Sequence, residues 1–177
     1  MTCIVGLVED GKVYMGGDSR LNRGWIVAET RAAGKLVHLG DLVIGVAGAT
    51  RAQNLLMYQF ALPARHCDDS DDAYVEGRVV AALRLLMDEH DYDFTESELL
   101  IGYHGHLYRV GCDYGISEPA EGVAGIGAGG PYAVGALLAF RLAKWLPERA
   151  IMGALEIAGN SANGVGAPYY VVCLPGM

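Results

Sequence analysis

Positive charge is scarce in this 177-residue sequence: 13 Lys and Arg stand against 21 Asp and Glu, for a formal net charge of −8. Nucleic acids and anionic membrane surfaces are held by dense Lys and Arg, so both fall out as partners. Proline is sparse too, six residues against 25 glycines. That excludes collagen-like and proline-rich chains and points to tight turns and close backbone approaches. The four cysteines, Cys3, Cys67, Cys112 and Cys173, fit no zinc or redox spacing. A chain of this size needs no disulfide framework, and buried, reduced thiols in a cytoplasmic protein are expected. No basic stretch followed by an apolar run opens the chain, so no secretory signal is expected. The most apolar window, Pro131 to Phe140, meets Arg141 and Lys144 before the roughly 20 residues of a membrane span. A soluble protein is expected.

What remains is a chain able to bury a large core. Hydrophobic residues make up 52%, charged residues 19%, and the mean hydropathy is +0.24. This excludes general disorder, and the length fits one domain over 1–177.

Strand patterns fill the first fifty residues. Thr2 to Val8 is apolar and β-branched, Glu9-Asp10-Gly11 signals a turn, and Lys12 to Asp18 resumes the extended pattern, which reads as a hairpin. Lys35 to Leu39 turns at Gly40-Asp41 and returns through Leu42 to Ala47. Both faces of these strands are apolar, implying a sheet covered on two sides. Helical spacing predicts a helix from Arg51 to Leu62, ended by Pro63, and another from Ala73 to Glu89. The acidic run Asp68 to Asp72 suits the positive end of that second helix; it lacks the glycine and distal glutamate of an EF-hand loop. Strands follow at Glu98–Tyr103, His106–Cys112 and Gly122–Ile126. Pro131 then opens a helix over Tyr132–Leu146, apolar nearly all round and so expected between other elements. A helix at Glu148–Ala158 and a strand at Pro168–Leu174 complete the chain. An α+β architecture of two stacked sheets between helix layers satisfies this order.

Chemistry concentrates near the start. If Met1 is removed, Thr2 carries a free α-amine beside its hydroxyl. An α-amine titrates at about 7.7–8.0 and can take the hydroxyl proton near neutral pH, a known way of activating a nucleophile. The alternative is that Thr2 is an ordinary chain start. Such a site needs a cation to hold the amine's pKa down and a carboxylate to fix the cation. The two-residue period puts Lys35 on the face of Val37 and Leu39; if that face points inward the ammonium must be paired. Asp18 ends a strand antiparallel to the one that bears Thr2. A purely structural Asp–Lys ion pair is the competing reading.

Other clusters are weaker. The histidines, His38, His66, His90, His104 and His106, form no triad with a serine, and His104-Gly105-His106 in a hairpin turn is expected to face solvent. Gly127-Ala128-Gly129-Gly130 before a helix could cradle an anion, but lacks the Lys and Ser/Thr of a nucleotide-binding P-loop.

Taken together, Thr2-Cys3-Ile4-Val5-Gly6, Gly17-Asp18-Ser19-Arg20, Gly34-Lys35-Leu36-Val37, Val46-Ala47-Gly48-Ala49 and Gly125 to Ala133 resemble proteasome β-type subunits. The nearer resemblance is to the bacterial HslV-type peptidases, within the N-terminal-nucleophile hydrolases. It runs from Thr2 to the last strand and implies a four-layer αββα sandwich. It also implies a cytoplasmic, threonine-type endopeptidase assembled into homo-oligomeric rings or stacked rings around a proteolytic chamber. Unfolded proteins or peptides would be its substrates and a separate AAA+ ATP-dependent unfoldase its partner. The resemblance makes Thr2 the nucleophile, Lys35 the nearby positive charge and Asp18 its partner. Gly48 would face the oxyanion together with the Ala128-Gly129 turn, Val46 and Thr50 would line the S1 pocket, and Ser19, Asn160 and Asn163 would support the site. No cofactor is required; a monovalent cation such as Na⁺ is implied on backbone carbonyls around Gly159, Ala162 and Val165.

Three positions depart from the family pattern. Ala128 stands where serine is usual, Asn160 where aspartate is, and Asn163 where a second serine is expected. The reduced supporting shell motivates an alternative, a catalytically weak or silent ring subunit kept for assembly; a non-peptidase amidase is a third reading.

Overall fold

The computed structural model describes residues 1–23, 26–30 and 34–176. Eleven strands and five helices are found among them. Strands β1 (Ile4–Glu9), β2 (Lys12–Asp18), β10 (Val123–Ile126) and β11 (Tyr169–Leu174) form an antiparallel sheet in the order β10-β1-β2-β11. Strands β5 (Leu36–Leu39), β6 (Leu42–Ala47), β7 (Glu98–Tyr103), β8 (His106–Val110) and β9 (Ile116–Ser117) form a second sheet in sequence order. A separate ribbon pairs β3 (Arg20–Arg23) with β4 (Ile26–Thr30), its register shifting between Leu21 and Asn22. Helices α4 (Gly130–Leu142) and α5 (Pro147–Ser161) cover the first sheet. Helix α1 (Thr50–Tyr58) and the run α2 (Asp71–Tyr74), a π-helical stretch Val75–Val80, and α3 (Ala81–Glu89) cover the second. The four-layer αββα order is the expected one.

The period of two along each strand builds these layers. On β1, Val5 and Leu7 face the α4–α5 layer, while Ile4 joins the core between the sheets. On β6, Leu42, Ile44 and Val46 face α1–α3, and Val43 and Ala47 face inward. Glycines punctuate the inner faces because the sheets approach closely there. A Cβ on Gly45 would lie 2.5 Å from Ile4 Cγ2, and one on Gly102 would lie 2.8 Å from Val13 Cγ1. Overfilling this seam costs about 1–3 kcal/mol. Gly45→Val is therefore expected to lower the urea midpoint of unfolding without changing the slope; an unchanged midpoint would show the sheets free to part.

Several boundaries differ from the sequence reading. The β3–β4 ribbon and the two-residue β9 were not expected. Helix α1 stops at Tyr58, with Gln59 capping it by donating to Leu55 O at 2.9 Å, ahead of the restriction that Pro63 imposes. Only Cys3 is buried; Cys67, Cys112 and Cys173 are exposed free thiols, two in connecting segments and Cys173 on edge strand β11. Nor does α4 lie between other elements on all sides. It buries Gly130, Ala133 and Leu137, while Tyr132 and Leu142 are exposed. No helix among the described residues is long and apolar enough to cross a membrane.

Candidate active site

Thr2 lies just ahead of β1 in the sheet that also carries Asp18 at the end of β2. Pairing of Ile4 with Gly17 continues one step further: Asp18 N–H donates to Cys3 O at 3.1 Å, and Cys3 N–H donates to Asp18 Oδ1 at 2.9 Å. Lys35 arrives from the other sheet, at the entry to β5. Its ammonium donates to Asp18 Oδ1 at 2.8 Å and to the Met1 carbonyl at 3.0 Å. The two charged side chains are 3% and 0% exposed. Charges this deep are tolerated only when paired and hydrogen-bonded. Asp18 Oδ2 is buried with no hydrogen-bond partner among the described residues. A buried residue off the sequence motifs secures Lys35: Gln53 Nε2 on α1 donates to Gly34 O at 2.9 Å, immediately before it.

Thr2 is itself only 6% exposed. Its carbonyl accepts from Gly129 N–H at 3.1 Å, inside the turn between β10 and α4. Gly127 has φ +75°, and a Cβ there would collide with the Thr2 carbonyl oxygen, so glycine is demanded twice over. At Gly129 a Cβ would come within 2.5 Å of Cys3 Cβ. On the facing sheet Gly48 follows β6 at φ +146°, where a Cβ would meet the buried Ser97 hydroxyl.

Two cavities flank Thr2 and share Met1, Thr2 and Gly48. One, of about 160 Å³, adds Lys35, Val46 and Thr50 to its wall. The other, of about 200 Å³, adds Glu96, Glu98 and Ala128. Burial, and next the Lys35 ammonium, hold the Met1 amine below its ordinary 8.0, with Asp18 opposing. Burial, and next Asp18, push the Cys3 thiol up to about 12, with Lys35 opposing. Cys3 is thus a protonated thiol at neutral pH and no rival to the hydroxyl beside it.

The structure therefore brings together Thr2, Asp18, Lys35, Gly48, Ala128, Gly129, Val46 and Thr50. The supporting residues make no described hydrogen bond to Thr2. Ser19 is buried but donates to Pro168 O at 2.8 Å, and Asn160 and Asn163 are exposed at the end of α5 and beyond. Of the three carbonyls expected to hold a cation, that of Ala162 accepts from Val165 N–H at 3.3 Å, and that of Val165 accepts from Arg20 Nη1 at 3.3 Å. The Arg20 guanidinium is so close that a Cβ on Gly166 would collide with it. A side-chain cation thus already approaches the Val165 carbonyl. The hairpin histidines do not share a partner: His104 packs on Tyr103 with Nδ1 3.3 Å from Asp71, and His106 Nδ1 lies 2.8 Å from Glu118.

Sequence reasoning missed Gln53, Ser97 and Glu98. For Gln53 the signal was a polar side chain on the otherwise apolar buried face of α1; Ser97 and Glu98, in the polar stretch Thr95 to Glu98, left no local signal.

No protein-family model matches the chain. Among curated proteins it is 31% identical over 141 residues to the ATP-dependent protease subunit HslV of Desulfovibrio desulfuricans, covering 76% of this chain and 75% of that one. Among solved structures, BPH from Thiobacillus denitrificans in complex with epoxomicin shares the fold at TM-score 0.79 and 20% identity, over 97% of each chain. The eukaryotic HslV from Trypanosoma brucei does so at TM-score 0.70 and 22% identity, over 97% of this chain and 98% of that one. Sequence relationship and architecture converge: the chain belongs to the HslV family of proteasome-like protease subunits.

Proposed function

We propose that this chain is a threonine-type endopeptidase subunit of a self-compartmentalising, HslV-like ring protease, active once Met1 is removed. The observation that carries the reading is the buried Lys35–Asp18 pair, whose ammonium bonds the carbonyl directly preceding Thr2. A structural ion pair alone would not need to touch the chain end.

In the processed chain the Thr2 hydroxyl attacks the substrate carbonyl. The Thr2 amine takes the proton, directly or through a water, as the Oγ–C bond forms. Gly48 N–H faces the developing oxyanion. Collapse breaks the C–N bond, the amine's proton goes to the leaving nitrogen, and water activated by the same amine releases the acyl group. Lys35 keeps the amine unprotonated near neutral pH, and Asp18 holds Lys35 in place. Val46 and Thr50 shape the cavity for the side chain preceding the cleaved bond.

Ring assembly is supported by the uncovered apolar surface of α4 and the turn after it, where Leu142 and Leu146 are 87% and 72% exposed. The chain carries no P-loop, so the ATP dependence in its relatives' names would reside in a separate unfoldase fed with unfolded substrate. Exposed free thiols at Cys67, Cys112 and Cys173 suit a reducing cytoplasm. No catalytic step requires a cofactor.

The test is intact mass combined with a threonine-directed probe. Active preparations are expected to be lighter by one methionine residue, and epoxomicin, the ligand of the Thiobacillus protein, is expected to form an adduct mapping to Thr2. Full activity in protein that retains Met1, or neither turnover nor adduct in processed, assembled protein, would overturn the reading. A pH profile adds a second check. The direction of the Met1 shift places a chain-end amine here below 8.0. The base must be neutral, so kcat/KM is expected to fall as pH drops through that lowered value and to level off at a lower pH than an ordinary chain-end amine would give. A rise that continues through pH 9 would contradict it.

A further inference from the structure

Two polar ties cross the gap between the sheets on either side of Thr2. One is the Lys35–Asp18 pair. The other belongs to Glu98, the first residue of β7, paired with Ala47 directly ahead of Gly48. Its Oε2 accepts from Gly127 N–H at 3.3 Å, and its Oε1 is held by the Arg109 guanidinium. Glu98 is thus anchored in the Gly48 sheet and reaches the turn that grips the Thr2 carbonyl in the other.

We infer that Glu98 is a positioning residue, fixing the distance between the Thr2 nucleophile and the Gly48 oxyanion donor by clamping the Gly127–Gly129 turn to the opposite sheet. This rests on the roles proposed for Thr2 and Gly48. The turn's remaining bonds cannot set that distance. Gly130 N–H to Gly127 O, at 3.0 Å, closes the turn on itself, and Gly129 N–H to Thr2 O binds it to its own sheet. The middle residue, Ala128, has no side-chain donor or acceptor to add. Only the carboxylate from β7 supplies a hydrogen bond to the turn from across the gap among the described contacts. Arg109 fixes the rotamer, so the acceptor is presented without an ordering cost at the time of reaction.

Glu98→Ala removes the clamp, whereas Glu98→Gln keeps a carbonyl acceptor for Gly127 N–H and discards the charge. Displacing reacting groups by about 1 Å costs on the order of 100-fold. In processed, assembled protein, Glu98→Ala is expected to lower kcat about 10- to 100-fold with KM nearly unchanged, while Glu98→Gln stays within about threefold of the parent. Arg109→Leu frees the Glu98 rotamer but keeps its carboxylate, and is expected to fall between Glu98→Gln and Glu98→Ala. Amide exchange supplies a readout independent of catalysis: the segment 123–130 is expected to exchange faster in Glu98→Ala and not in Glu98→Gln. Parental kcat or unchanged exchange in Glu98→Ala would overturn the inference. So would a Glu98→Gln protein as impaired as Glu98→Ala, since charge pairing would then be the requirement. If the parent protein itself lacks turnover, the threonine mechanism falls, and the exchange measurement still decides the clamp.

Discussion

Replacing Thr2 by alanine in the processed, assembled protein is expected to reduce peptide hydrolysis by on the order of 10⁴-fold or more, with the thermal midpoint nearly unchanged. Loss of a covalent nucleophile removes a whole reaction path, unlike loss of an auxiliary hydrogen bond, and effects of that size are typical. The folded state should barely notice. The threonine bond to Gly129 runs through the backbone carbonyl, which alanine keeps, and the side chain loses only a hydroxyl and a methyl. Thr2→Ser separates chemistry from packing: it retains hydroxyl and amine and is expected to keep measurable turnover. The neighbouring Cys3 cannot rescue the alanine variant, because its thiol is held far from ionisation. Robust hydrolysis by Thr2→Ala, sensitive to the same probe, would place the nucleophile elsewhere.

Lys35→Met is expected to damage both stability and activity. The side chain is of similar length, but Asp18 is then a completely buried carboxylate without its counter-ion. Breaking one half of such a pair costs about 3–5 kcal/mol. The double variant Asp18→Asn with Lys35→Met removes both charges and keeps an acceptor for Cys3 N–H. It is expected to recover most of the lost stability, since a neutral replacement of a buried ion pair is often tolerated. Activity should remain absent in both, because neither supplies an ammonium beside the chain end. Urea unfolding of the single and double variants, read alongside peptide turnover, makes the comparison. Equal stability in parent and Lys35→Met would mean that the pair is not buried in solution, and active double variants would remove Lys35 from the mechanism.

The layers were legible because their signals are local and periodic. Glu9-Asp10-Gly11 between two apolar runs specifies the β1–β2 turn, where Asp10 and Gly11 both take positive φ. Lys35 stood out because its strand face was otherwise apolar, and its burial confirms that reading. The β3–β4 ribbon escaped because Arg20-Leu21-Asn22-Arg23 mixes polar residues in a strand that pairs only with its neighbour. The exposed face of α4 was misjudged for another reason: all-round apolarity says that a helix is covered, but not whether by its own chain. Glu98 was invisible because its bond to Gly127 joins residues 29 apart across two sheets. No spacing rule encodes such a contact.

The Met1 carbonyl occupies the Lys35 ammonium, and this has a bearing on timing. While Met1 stays, the nitrogen of residue 2 belongs to a planar amide with no basicity to lend, and the ammonium proposed to tune a free end is bonded to the group that precedes it. Under the proposed mechanism, a chain that keeps Met1 is dormant. Met1 is 49% exposed whereas Thr2 is 6% exposed, so the bond to be cut sits at the threshold of the folded interior. Under the proposed mechanism, activity waits on the cutting of that bond.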